Sequence, residues 1–139
     1  MSASLLASAA TPRTSRRTLW AGRIITGIAV LFLTFDTVMK FAVTKEALEG
    51  TAQLGWQAHH LPIIGTIAAV CLLLFVVPRT AVLGAVLWTG YLGGAIATHL
   101  RLDNPLFTHT LFPIYVAAFV WGGLYLRDER VRALLRPAR

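Results

Sequence analysis

The chain has 139 residues, 56% of them hydrophobic and 14% charged, with a formal net charge of +7 and a mean hydropathy of +0.66. A soluble single domain must cover its outside with polar groups, and this composition holds too few of them. The basic residues flank apolar runs, as topology determinants beside an anionic leaflet do. No zinc-finger spacing, aromatic-interleaved basic strand or basic region before heptads accompanies them, so lipid and not nucleic acid is the expected partner.

Residues 1–17 (MSASLLASAATPRTSRR) are rich in Ser, Ala and Thr, end in a basic cluster, and predict a loosely ordered tail. Arg16 and Arg17 resemble a twin-arginine export signal. The apolar run continues into FDTVMKF without a small-residue cleavage site, so a retained helix is expected over residues 19–41. Arg23 lies near its start, where its head can reach the interface. Residues 24–35 carry no charge, and Asp36 and Lys40 follow. Residues 42–60 are polar and amphipathic, broken by Gly50 and Gly55, and predict an interfacial segment anchored by Trp56 at headgroup depth.

A second helix is expected over residues 61–77, with Pro62 in its tolerant first turn. Its 17 uncharged residues are at the short end of the spanning range. Cys71, the single cysteine, lies within AAVCLLLFVV and reads as a small apolar packing residue; alone it forms neither an internal disulfide nor a redox pair. Pro78, Arg79 and Thr80 make a tight turn into a third helix, residues 81–99, which must run antiparallel to the second. Asp103-Asn104-Pro105, a capping residue before a first-turn proline, opens a fourth helix over residues 105–126. The basic stretch 128–139 predicts a short helix along the surface.

Four apolar runs, each near the ~20 residues that cross ~30 Å of hydrocarbon, predict an all-α integral membrane four-helix bundle formed by residues 18–127. Ten basic residues lie at one end: Arg13, Arg16, Arg17 and Arg23, Arg79 in the turn, and five after residue 126. Lys40, Lys45 and Arg101 lie at the other. The positive-inside rule then puts both termini in the cytoplasm of a multi-pass protein of the bacterial inner membrane. Gly90 and Gly94 form a GxxxG pair, and Gly122 adjoins Gly123; these predict close helix packing, within one bundle before a homodimer.

That topology gathers Asp36, Lys40, His99, Arg101, Asp103 and His109 at the extracytoplasmic end. Asp36 and Lys40 are spaced i,i+4 and share a helix face; a structural ion pair and a pocket-lining pair are both consistent with that spacing. Tyr91, Ala95 and His99 form one stripe of the third helix, where hydroxyl and imidazole can line a cavity. Histidine titrates near pH 6.5, which suits proton movement or an anionic or quinone-like ligand. The ten-residue spacing of His99 and His109 is not a metal spacing, and no metal is expected. Pro113, inside the expected fourth helix, should free the carbonyl of His109 and kink the chain, with Thr108 or Thr110 compensating. No nucleophile–base pair, catalytic carboxylate pair or phosphate loop appears, so no catalytic residue is assigned in this chain alone.

LFLTFDTVMKF, VVPRTAVLGAVLWTGYLGGAIATHLR and NPLFTHTLFPIYVAAFVWGGLYLRDERVRALL resemble the DoxX-like family of small bacterial membrane proteins over residues 20–135. The resemblance implies four membrane helices, a polar cluster at Asp36, Lys40, His99, Arg101 and His109, and association with redox systems, some of them quinone-linked. Three expectations follow. The first is an accessory, quinone- or lipid-binding subunit beside a redox partner protein, with Tyr91 joining the cluster. The second is a small transporter or proton-conducting protein using the same residues, and the third a scaffold whose polar groups only fix helix register.

Overall fold

The computed structural model describes residues 14–136, which are helical with no strand among them. Residues 1–13 of the expected loose tail lie outside the described residues. Helix α1 spans Arg16–Ala42, and the Oγ of Ser15 accepts a hydrogen bond from the Thr18 N–H at 3.2 Å. That cap sets the start about one turn before the first apolar residue of the pattern. Helix α2, Lys45–Gln53, is capped in the same way by Thr44, whose hydroxyl accepts from the Ala47 N–H at 3.2 Å. Helices α3 (His60–Val76), α4 (Ala81–Arg101), α5 (Phe112–Arg127) and α6 (Glu129–Leu135) follow, with a π-helical turn at Leu106–Thr110 before α5.

Three segments are long and apolar enough to cross a membrane: α1, α4 and the stretch Leu106–Arg127 formed by the π turn and α5. Helix α3 has 17 residues, a length of about 26 Å at 1.5 Å per residue. Helix α1 packs on α3 and α5, and α4 packs on the same two, so the four close into a ring. Its centre holds Trp88 and Phe75, both fully buried, with Leu33, Val120 and Leu124. The outward faces carry Leu31, Phe35, Leu73 and Phe119, all exposed. Such a surface is matched by hydrocarbon and not by water.

At four glycines a side chain would strike a neighbouring helix. A Cβ on Gly84 would overlap the backbone of Phe75, and one on Gly123 would overlap the Thr26 hydroxyl. A Cβ on Gly22 would come within 2.9 Å of the Leu126 Cβ, and one on Gly65 within 3.1 Å of the Lys40 Cβ. At Gly90, Gly94 and Gly122 a Cβ would meet nothing within 4 Å. The expectation that these three pack helices within the chain is therefore corrected. GxxxG spacing puts two glycines on one face but does not say which face turns inward. The inner face of α4 carries Ala81, Ala85, Trp88 and Leu92.

The two ends of the described residues meet. The hydroxyl of Thr14 donates to Glu129 Oε1 at 2.9 Å and accepts from Arg132 Nη2 at 2.5 Å. Asp128 caps α6 by accepting from the Arg130 N–H at 2.9 Å, and Val131 is buried beneath it. The basic carboxyl stretch is thus a docked helix through Leu135, and residues 137–139 lie outside the described residues.

Candidate functional site

Opposite the chain ends, α2 and the segment after it fold over the mouth of the helix ring. Beneath them lies a cavity of about 600 Å³, within the ~300–1,000 Å³ usual for ligand sites. Its wall is mainly apolar, with Leu33 from α1, Leu61 from α3, Leu92 from α4 and Val116 from α5. Its polar groups are few. Asp36 and Lys40 come from α1, Thr51 from α2, and Tyr91, Thr98 and His99 from α4.

The i,i+4 spacing of Asp36 and Lys40 brings them into contact: the ammonium donates to Asp36 Oδ2 at 2.5 Å and to the Asp36 carbonyl at 3.3 Å. The lysine stem packs beside Gly65, so its head is delivered along a closely packed surface. Tyr91 stands edge-on to Trp88 with ring centroids 5.1 Å apart, which ties it to the buried core. His99, two turns further along α4, pairs its Nδ1 with the Asn104 side-chain amide nitrogen at 2.9 Å. That amide nitrogen is a donor, so Nδ1 accepts and a neutral His99 carries its proton on Nε2. The site therefore combines an ammonium, a phenol and an imidazole N–H, all able to donate to an oxygen of a ligand.

Of the six expected site residues, Asp36, Lys40, Tyr91 and His99 line this cavity, whereas Arg101 and His109 do not. Arg101 holds the cover instead: its Nη2 donates to the Leu54 carbonyl at 3.1 Å, across Gly55. His109 is exposed, with Nδ1 2.8 Å from the Thr108 hydroxyl, and its ring stands edge-on to His99 at 5.9 Å. Asp103 is exposed in the left-handed region at φ 51° and caps no helix.

The expected kink at Pro113 takes another form. Pro113 is the second residue of α5, and the strain it imposes upstream is absorbed by the π turn. There the Thr110 and Leu111 N–H groups bond five residues back, to the carbonyls of Pro105 and Leu106. The Pro113 ring cannot pass the carbonyl four residues before it in a regular helix, and a wider turn removes that clash. The Thr110 hydroxyl donates to the Asn104 carbonyl at 3.2 Å and not to that of His109; the Tyr115 hydroxyl donates to the Phe107 carbonyl at the same distance.

Sequence reasoning missed Asn104, Thr98 and the covering residues Thr51, Leu54 and Trp56. The Thr44 cap and the Gly55 breaker mark a short helix and a reversal, but not what that helix lies upon. Gly55 has φ 77°, and a Cβ there would sit 2.9 Å from Arg101 Nη2. Gly55→Ala is expected to cost about 1–2 kcal/mol, the usual penalty of a left-handed non-glycine residue, and to displace Arg101 from Leu54. Hydrogen exchange checks this: amides of α2 should exchange faster in the variant while those of α4 stay unchanged.

Among known proteins, the model of the DoxX-like family matches residues 24–123. No curated protein and no solved structure gives a match. The matched stretch runs from within α1, through α3 and α4, to Gly123 in α5 and covers well over half of the chain, so the chain belongs to the DoxX-like family.

Proposed function

We propose that this DoxX-like protein is a non-catalytic, ligand-binding subunit of a membrane redox system, holding a quinone or a lipid-like molecule in the cavity beneath α2. In this reading α1, α3, α4 and α5 form a four-helix bundle across the bacterial inner membrane. Both termini are cytoplasmic, in keeping with the excess of Arg at that end. The observation that carries the proposal is the cavity's uneven wall: apolar over most of its area, with Lys40, Tyr91 and His99 as donors and Asp36 holding the ammonium. An amphiphile with an oxygen-bearing head satisfies those donors, and its apolar body matches the rest of the wall.

Native mass spectrometry of the protein extracted from its own membranes tests this directly. A bound species of quinone or lipid mass is expected on the wild type and absent from His99→Ala and from Lys40→Ala. A wild-type spectrum without adducts, or adducts that survive both substitutions, would refute ligand binding at this cluster and favour a scaffold.

A further inference from the structure

The cavity is not confined to the centre of the helix ring. Gly90, Gly94 and Ile67 line it, and all three are also exposed. At about 100° per residue, the positions of α4 divide into flanks about the inner face of Trp88 and Leu92. Thr89 lies on the flank toward α5, where its hydroxyl accepts from Trp121 Nε1 at 2.9 Å. Tyr91, Thr98 and Gly94 lie on the opposite flank, toward α3, with Gly90 turned furthest outward. Ile64 and Ile67 face them from α3. Near the Pro78 turn this seam is shut, because Gly84 brings α4 against the Phe75 backbone. Further along, Cβ atoms on Gly90 and Gly94 would meet nothing within 4 Å.

We infer that the cavity opens sideways into the bilayer between α3 and α4, and that Gly90 and Gly94 form the sill of this entrance. Gly90 lies nine residues into α4, about 14 Å along the axis, which is mid-depth in ~30 Å of hydrocarbon. Tyr91 lies at the level of Gly90, and Thr98 and His99 lie about two turns or more nearer the α2 end. The occupant is therefore an amphiphile dissolved in the membrane. Its head reaches Tyr91, His99 and Lys40, and an apolar tail too long for the cavity leaves over the two glycines into lipid. Leucine side chains at these positions would fill the passage, whereas glycine leaves it open.

This inference rests on the ligand-binding reading above, and two probes separate them: a benzoquinone with a decyl tail and the same head without a tail. Binding to protein in nanodiscs is read by quenching of tryptophan fluorescence. In the Gly90→Leu/Gly94→Leu variant the decyl probe should bind at least tenfold more weakly, while the tail-less head binds within twofold of wild type. Gly122→Leu, away from the cavity, should leave both unchanged. A decyl affinity unchanged in the double variant overturns the entrance and leaves the site standing. Equal loss of both probes, or the same loss in Gly122→Leu, also overturns it. Failure of both probes on the wild type would sink the site itself and the entrance with it. As an independent measurement on the unmutated protein, a decyl probe with a diazirine at its tail end should label residues 63–70 and 86–94. Labelling confined to α1 and α5 would overturn the inference.

Discussion

Gly84→Ala is expected to destabilise the protein by about 1–3 kcal/mol, the range for overpacking a tight contact, and Gly84→Leu to prevent assembly of the α3–α4 hairpin. The reason is what a new side chain would strike. The nearest atoms to a Cβ on Gly84 are the backbone nitrogen and Cα of Phe75, which cannot rotate away as a side chain can. Phe75 is itself fully buried in the core, and the hairpin is fastened beside it by the Thr80 hydroxyl, which donates to the Leu74 carbonyl at 2.8 Å. Gly93 is the matched comparison. Nothing lies within 4 Å of a Cβ there, so Gly93→Ala keeps the gain of about 0.5–1 kcal/mol expected from replacing a mid-helix glycine. Thermal unfolding in detergent should therefore shift in opposite directions for the same chemical change at two positions of one helix. Shifts of equal sign and size would contradict the close approach at Gly84.

The second large effect concerns Asp36 and Lys40. Lys40→Met should remove the ammonium while leaving a carboxylate beside an apolar wall, and breaking a buried pair in this way costs about 3–5 kcal/mol. The pair is only partly enclosed, with 37% of the Asp36 side chain accessible, so a loss of about 2 kcal/mol is expected, below that range. The Asp36→Asn/Lys40→Met double variant should recover most of this loss, because no uncompensated charge is left. It should not recover ligand binding, since the donated ammonium proton is gone in both variants. A double-mutant cycle of unfolding midpoints, run beside the mass-spectrometric assay, separates the two roles. If the double variant is no more stable than Lys40→Met, the pair is not what holds this part of α1. If it binds ligand as the wild type does, the ammonium is not a ligand donor.

The helical segments were legible in the chain because their evidence is local. Uninterrupted apolar runs, the Pro78 turn, and the polar breaks at residues 42–60 and 101–105 mark where helices stop and start. The i,i+4 contact of Asp36 with Lys40 follows from one helix's own geometry. So does the common stripe of Tyr91 and His99. Other features depend on which face of a helix turns inward, and a helix that is apolar all round carries little signal for that. Hence Gly90 and Gly94 read as a packing motif, although Gly84, Gly123, Gly65 and Gly22 make the close approaches. Nor does the chain taken alone indicate that α2 folds back as a cover held by Arg101, or that Asn104 sets the His99 tautomer. Those contacts join residues 47 and five positions apart across turns, and turn geometry decides them. At Pro113 the missing N–H was legible, but the wide turn that relieves its clash was not. That choice depends on partners for the carbonyls in and just before the π turn, which the Tyr115 hydroxyl supplies at Phe107 and the Thr110 hydroxyl at Asn104. Sequence thus determined the solvent, the helices and the pairs within a helix, because each is set by a few neighbouring residues. Tertiary structure alone decided which polar groups share a cavity, because that depends on how the helices are rotated against one another.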